Sequence, residues 1–316
     1  MKTRLLSLTP LLLTGLALRG QSVNPDHVDR VPNPASVAYK QEIGRDPSTW
    51  QWNIPLELPR VTHGVVRSAA MDRDIGFNIY LPPSYASAPH TRYPVVYYFH
   101  GATGSETSDI PVTEYVAAQI EKGNIGEVIY VLPNAGHFSG YRDRATGNVR
   151  VETYLIHEFI PEIDRRYRTI ASREGRALMG FSMGGGGATR LGLKYPDMFS
   201  AVVSFGGALG ANPARRAENA ETAADPDNVY HWATLNQTRI RDRIGLYFIV
   251  GGTDRMYAHH APFLEHLHGL EINFHYRVLA GVGHDIWRSM DQCGGDAIRF
   301  VSAQLAASTS DQMTTR

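Results

Sequence analysis

Ser182 stands between two glycines in the run RALMGFSMGGGGATRLGL, residues 176–193. A serine hydroxyl is a weak nucleophile at neutral pH and attacks a carbonyl only when a base withdraws its proton. The run has the setting such a serine uses: an apolar, strand-like segment, RALMGF, leads straight into Ser182, and a helical pattern begins directly after it. A turn this sharp forces the serine into strained backbone and crowds the neighbouring Cβ positions, which Gly180 and Gly184 leave empty. Gly185, Gly186 and Gly187 let the following helix lie close beneath a sheet, at some expense in helix propensity. A phosphate cradle would need GxxxxGK[ST], or GxGxxG in a βαβ unit, and neither is present.

The base that serves such a serine is an imidazole, and a carboxylate orients it, in the chain order Ser, Asp or Glu, His. LYFIVGGTDRMY puts Asp254 just past the end of a strand, and YRVLAGVGHDIW puts His284 in the Gly-flanked loop after the next one. Two alternatives stay open: Asp254 as a turn or helix cap, and Asp285 as a rival acid, although its place beside His284 makes it awkward for orienting that ring. Acyl transfer also needs donors aimed at the carbonyl oxygen as charge builds there. The backbone N–H of Met183 is one candidate, and the loop YYFHGATGSE supplies Ala102 as the second, with His100 and Gly101 shaping its turn.

These residues need a frame. VTHGVVRSA and IGFNIYLP read as a strand pair turning at AMDRD. PVVYYFHG, EVIYVLPN, RALMGFS, AVVSFGG, LYFIVGG and FHYRVLAG are short β-branched or aromatic runs, apolar on both faces as in buried parallel strands. Helical patterns fall between them: VETYLIHEFIPEIDRRY, with Leu155, Phe159, Ile163 and Tyr167 on one face and a kink or break at Pro161; the segment after Ser182; RMYAHHAPFLEHLHGL; and HDIWRSMDQCGGDAIRFVSAQLA. The alternation predicts an α/β fold, a mostly parallel central sheet with helices on both faces and the site at the carboxyl ends of the strands.

The remaining organisation is read from composition. Lys2 and Arg4 precede an apolar run from Leu5 to Leu18, too short to span a bilayer, with small residues Gly20 and Ser22 after it. That is the layout of a secretory signal over residues 1–22, and it predicts a secreted or periplasmic protein with no stable membrane association after cleavage; Arg19 fits a cleavage boundary poorly, and an uncleaved anchor is the alternative reading. Residues 23–60, rich in Pro, Asn and Asp, read as an arm or linker that Trp50 and Trp52 could pin to the body. The catalytic unit is expected over 61–307, with an insertion at about 208–244 lying over the site and a tail at 308–316. The 316 residues are 43% hydrophobic and 20% charged with zero formal net charge, which gives no footprint for nucleic acid. Cys293 is the sole cysteine, so the chain forms no internal disulfide.

IYLPPSY, RYPVVYYFHG, GFSMGG, GGTD and GVGHDIW, in that order and spacing, resemble the esterase family that includes S-formylglutathione hydrolase (esterase D), feruloyl and acetylxylan esterases of carbohydrate esterase family 1, enterochelin esterases and mycolyltransferases. The resemblance covers roughly Val61 to Leu305. It implies an α/β-hydrolase fold, a triad of Ser182, Asp254 and His284, and an oxyanion hole at Ala102 and Met183. Export favours the feruloyl or acetylxylan type among these relatives, hence a small ester or an esterified carbohydrate as substrate and no cofactor. Tyr141, Tyr230, Trp232 and Trp287 are then candidates to stack on an aromatic acyl group such as a ferulate. The arm and the insertion match no member of the family.

Three rival readings are weighed against this one. His259, His260, His266, His268 and Glu265 cluster in sequence, but HExxH is absent and the spacing spreads them around a helix, so no metal is expected. A peptidase or acyltransferase would share the triad on the same fold. A non-catalytic binding protein would lack a triad member, whereas all three candidates are present.

Overall fold

A computed structural model describes residues 45–56, 58–145, 147–210 and 227–314. The expected signal segment, the arm before residue 45 and the centre of the 208–244 insertion lie outside the described residues. Eight strands form one sheet: β1 (Val61–Ser68), β2 (Arg73–Tyr80), β3 (Val95–Phe99), β4 (Ile129–Pro133), β5 (Arg176–Phe181), β6 (Ala201–Phe205), β7 (Gly245–Gly251) and β8 (His275–Leu279). Their order is β1-β2-β4-β3-β5-β6-β7-β8. The β1–β2 hairpin is antiparallel, with Val61 opposite Tyr80 and Ser68 opposite Arg73, and β2 pairs antiparallel with β4. From β4 to β8 every pairing is parallel. The chain leaves β3 toward β4 on one side and returns to β5 on the other. This reversal opens a crevice at the carboxyl ends of β3 and β5, where an open α/β sheet binds its ligand.

The two-faced apolar strands separate two cores with a period of two. Val95, Tyr97, Phe99, Leu178 and Val202 face one; Val96, Tyr98, Ala177, Met179 and Val203 face the other. Helices α1 (Val112–Glu121) and α7 (Ile286–Thr314) cover the second core. The first is covered by α2 (the continuous segments Val151–Thr153, Tyr154–Phe159 and Ile160–Arg166), α3 (Met183–Lys194), α4 (Val229–Leu235), α5 (Gln237–Ile240) and α6 (Tyr257–Gly269).

The structure differs from the sequence expectations in several places. Pro161 does not break α2: the turn before it, Tyr154–Phe159, widens into a π-helix, which relieves a ring lacking an N–H and crowding the preceding turn. Tyr167 caps that helix in extended backbone instead of continuing its face. β8 is an edge strand exposed from His275 to Val278, not a buried one, because no strand follows it. Helix α7 continues past residue 307 to Thr314, through part of the segment expected to be a tail. Helix α1 is an element the periodicity reading does not single out. Among the described residues no helix is long and apolar enough to cross a membrane.

Trp50 and Trp52 are both buried in the first core, and the Gly76 N–H donates to Trp52 O at 2.7 Å, so residues 50–52 are built into the body. Of the expected insertion, residues 227–244 are built onto the sheet. Val229, Ala233 and Ile240 join the first core, and α4 packs against α3 and α6.

Candidate active site

Ser182 sits at the hinge between β5 and α3 with φ +55° and ψ −114°, backbone that a side chain rarely adopts. Tight packing enforces it. The Ser182 N–H donates to Phe205 O at 2.8 Å, and the Ser182 carbonyl accepts from Gly186 at 3.0 Å and Ala208 at 2.9 Å. A Cβ at Gly184 would lie 2.0 Å from Phe99 O, and one at Gly180 would lie 2.6 Å from the Gly184 carbonyl. The two flanking glycines are therefore required by close backbone approach.

The Ser182 hydroxyl is 2.8 Å from Nε2 of His284, and Nδ1 of His284 is 2.8 and 2.9 Å from the two carboxylate oxygens of Asp254. With Nδ1–H donating to the carboxylate, Nε2 is left to accept the serine proton. The loops after β5, β7 and β8 carry these residues, so strands set by long-range pairing bring together positions far apart in sequence. Burial alone would raise the carboxyl pKa of Asp254; hydrogen bonds from His284 and the Met256 N–H outweigh it and hold the pKa below the usual value. Asp285 does something else: its Oδ1 accepts the N–H groups of Trp287 and Arg288 and caps α7.

The amide of Met183 opens α3, where a helix N–H has no intrahelical acceptor. Across the crevice, Gly101 packs against Ser182: a Cβ there would lie 3.6 Å from Ser182 Cβ. This brings the next residue, Ala102, to the mouth of the site on a turn closed by the Gly104 N–H donating to Gly101 O at 3.1 Å. His100 holds the base of that turn, its Nδ1–H donating to Gly101 O at 2.8 Å and its Nε2 accepting the Ala135 N–H at 3.1 Å. Burial presses the His100 pKa down to about 4, against the pull of the Gly101 carbonyl, so the ring is a neutral brace. A strained serine bonded to an oriented imidazole is an arrangement for acyl transfer through a covalent intermediate.

The profile of the family described as "Putative esterase" matches residues 68–280. The chain belongs to this esterase family. It is 32% identical over 182 residues to Esterase MT1326 of Mycobacterium tuberculosis, a match covering 56% of this chain and 36% of that protein. It is 33% identical over 132 residues to an endo-1,4-beta-xylanase/feruloyl esterase of Xylanibacter ruminicola, covering 39% of this chain and 18% of that protein. The matches thus span about a third or less of these curated relatives' length. Among solved structures, a ferulic acid esterase superposes with a TM-score of 0.68 at 25% identity, covering 77% of this chain and 98% of that one. The S-formylglutathione hydrolase of Agrobacterium tumefaciens superposes with a TM-score of 0.63 at 20% identity, covering 78% and 95%. The sheet and its helices are the α/β-hydrolase fold of these neighbours.

Of the four aromatics expected to line an acyl pocket, three of this esterase-family chain have other surroundings. Tyr141 is fully buried, stacked on Phe99 with centroids 4.3 Å apart, and its hydroxyl donates to His100 O at 2.9 Å. It supports the turn that carries Ala102 from below. Tyr230 packs edge-on against Phe263 at 5.2 Å and tilts on His266 at 5.1 Å, in the core between α4 and α6. Trp232 donates its indole N–H to Asp227 at 2.8 Å with Lys194 Nζ 4.8 Å over its ring, at the end of α3 remote from Ser182. The sequence shows an aromatic; only packing shows which way it faces. Trp287, in the first turn of α7 three residues after His284, is half-buried and packs against the second core.

Phe181 and Gly206 also shape the site, and His260, expected on a solvated helix face, lies buried near it. The Phe181 ring lies 4.7 Å from His284 at 32° and flanks the imidazole. Gly206, at φ +50°, leaves room for the Asp254–His284 pair, since a Cβ would lie 2.8 Å from Asp254 Oδ2. His260 is fully buried near Asp254, with its pKa pressed to about 4 chiefly by burial. Of the other residues in its sequence cluster, His266 bonds the Tyr230 carbonyl at 3.2 Å. The GF before Ser and the GG after β6 were visible signals for Phe181 and Gly206; His260 had none beyond its helical spacing.

Proposed function

We propose that this chain is an exported serine carboxylesterase that hydrolyses feruloyl (hydroxycinnamoyl) or acetyl esters of plant polysaccharide. The observation that carries the reading is the unbroken line Ser182 Oγ to His284 Nε2, then Nδ1 to Asp254, at 2.8 Å for each step. His284 takes the proton of Ser182 as its oxygen adds to the ester carbonyl. The resulting oxyanion is met by the N–H groups of Ala102 and Met183. Collapse expels the alcohol, which takes the proton from His284, and a water activated by the same imidazole then releases the acid and restores Ser182. Asp254 stabilises the imidazolium in both halves. The substrate class is supported by the likeness to a ferulic acid esterase at 25% identity and by the Xylanibacter ruminicola relative. Export is supported by the charge and apolar run of residues 2–18.

The test is hydrolysis of methyl ferulate and 4-nitrophenyl acetate by the wild type and by Ser182→Ala. Wild-type turnover with loss of at least about 10³-fold in the variant is the expected result. Equal rates for the two proteins would remove Ser182 from the reaction. The ratio between the two esters distinguishes a pocket for an aromatic acyl group from one for acetyl.

A further inference from the structure

Three segments meet beneath the oxyanion turn: residues 51–54, the loop of residues 100–107 after β3, and the loop of residues 134–140 after β4. Glu106 lies at their junction with no exposed surface. Its Oε1 accepts the Ile54 N–H at 2.6 Å and its Oε2 accepts the side-chain amide of Asn134 at 2.5 Å. Its backbone carbonyl accepts from Asn78 Nδ2 on β2 at 2.9 Å. Asn134 also donates to Gln51 O at 3.0 Å and accepts the Gly136 N–H at 2.9 Å. Room is kept for the carboxylate by Gly76, where a Cβ would lie 2.3 Å from Glu106 Oε1.

Burial pushes the Glu106 carboxyl up to about 7, against the pull of these N–H donors. An apolar side chain would fill the same space at less expense. What a carboxylate adds is two acceptors that hold separate segments at fixed distances. The hold reaches Ala102 in a few bonds. His137, in the loop that Asn134 begins, donates Nδ1–H to Gly104 O at 2.7 Å, and its own carbonyl accepts the Thr103 N–H at 2.7 Å. The turn carrying Ala102 is therefore gripped by the loop that Glu106 ties to residues 51–54.

We propose that Glu106 is a positioning residue for the oxyanion hole, its buried carboxylate locking residues 51–54 and the β4-end loop onto the loop that carries Ala102 and so fixing where the Ala102 N–H points. The inference rests on the acyl-transfer reading of Ser182. An oxyanion donor stabilises charge only when aimed before the charge develops, so a small displacement is felt in the transition state more than in ground-state binding.

The experiment compares the wild type with Glu106→Gln at pH 8.5, where the native carboxyl is ionised. In the variant the amide nitrogen opposes one of two N–H donors, the Ile54 backbone or the Asn134 side chain. Two readouts are taken: kcat and KM for 4-nitrophenyl acetate, and inhibition by an alkyl trifluoromethyl ketone beside the unactivated methyl ketone of the same chain. With the trifluoromethyl ketone, Ser182 Oγ adds to the carbonyl carbon, its proton passes to His284, and the former carbonyl oxygen becomes an alkoxide in the hole. The expected result is a fall in kcat of about tenfold or more with KM nearly unchanged. Affinity for the trifluoromethyl ketone should fall by a similar factor and affinity for the methyl ketone should not. Glu106→Asp, which keeps the charge but draws it away from one partner, should show the same pattern more weakly and serves if the glutamine variant does not fold. Unchanged kcat and ketone affinity overturns the inference, as does equal weakening of both ketones. An active wild type, an inactive Ser182→Ala and an unchanged Glu106→Gln would remove this inference alone; a fully active Ser182→Ala would remove the reading beneath it.

Discussion

Replacing Asp254 by Asn changes one atom of the site and, by the geometry, traps its base in the wrong tautomer. Oδ1 of Asp254 accepts the Met256 N–H at 2.8 Å, and both carboxylate oxygens lie within 2.9 Å of His284 Nδ1. An asparagine that keeps its oxygen on Met256 puts its NH2 at the Oδ2 position, 2.9 Å from His284 Nδ1, and so favours the ring form whose Nδ1 accepts. The imidazole proton then sits on Nε2, facing the Ser182 hydroxyl it should deprotonate. The flipped amide restores Nδ1–H but sets its NH2 against the Met256 N–H. Reaching the reactive tautomer thus leaves buried donors opposed, about 1–3 kcal/mol each. It also forfeits the charge-assisted bond to the imidazolium, about 1.5–3 kcal/mol. With two donors opposed, the total is about 3.5–9 kcal/mol, a loss in kcat of at least several hundred-fold and up to about 10⁶-fold. The assay is 4-nitrophenyl acetate hydrolysis at pH 8, with circular dichroism to show that the variant is folded. Asp285→Asn is the control, because Asp285 caps α7, a role asparagine fills about as well, so stability and kcat should both change little. Retention of kcat within tenfold in Asp254→Asn, or a larger loss in Asp285→Asn, would refute the assignment of the acid.

Further outcomes test the frame around the site. Gly184→Ala places a methyl 2.0 Å from Phe99 O, so β3 and α3 must separate; urea unfolding should show a loss of several kcal/mol, and a variant of wild-type stability would contradict the close approach. Arg190, 1% exposed, pairs Glu152 and Asp227 at 2.7 Å and donates to Tyr141 O at 2.6 Å; Arg190→Met should cost about 3 kcal/mol with kcat of the folded enzyme nearly intact, since Lys194 still pairs both acids. The Glu106 carboxyl is raised from 4.5 to about 7, so between those values the folded chain holds a proton that the unfolded chain has lost. Its contribution is complete below pH 4.5 and is lost as pH rises through about 7, roughly 3 kcal/mol in all. Urea unfolding at pH 5 and pH 8 should show this fall for the wild type and not for Glu106→Gln; the difference isolates Glu106 from its ionisable neighbours His63, His137 and Tyr154, and equal slopes would count against the raised carboxyl.

The elbow was legible because local chemistry writes it: only a glycine-flanked serine after an apolar strand tolerates the backbone found at Ser182. The strands were legible for a related reason, since residues such as Val95, Val96 and Tyr97 are apolar in succession and a sheet buried on both faces needs that. Asp254 and His284 could be placed at strand ends, but the choice between Asp254 and Asp285 needed the pairing of β7 with β8, which puts one acid under the imidazole and leaves the other at a helix start.

What the sequence by itself determined about this chain is its strand and helix alternation, its nucleophile turn and the chain order of its acid and base, all consequences of local backbone sterics and hydrophobic period. Tertiary structure alone decided that Tyr230 and Trp232 have partners away from Ser182, that Tyr141 supports the turn carrying Ala102 from within the core, and that Glu106 joins three segments beneath it. A side chain's period tells which face it takes, while its partners come from segments brought near by long-range strand pairing. Direction and partnership at a site therefore belong to the assembled sheet, and chemistry at a single turn belongs to the residues that form it.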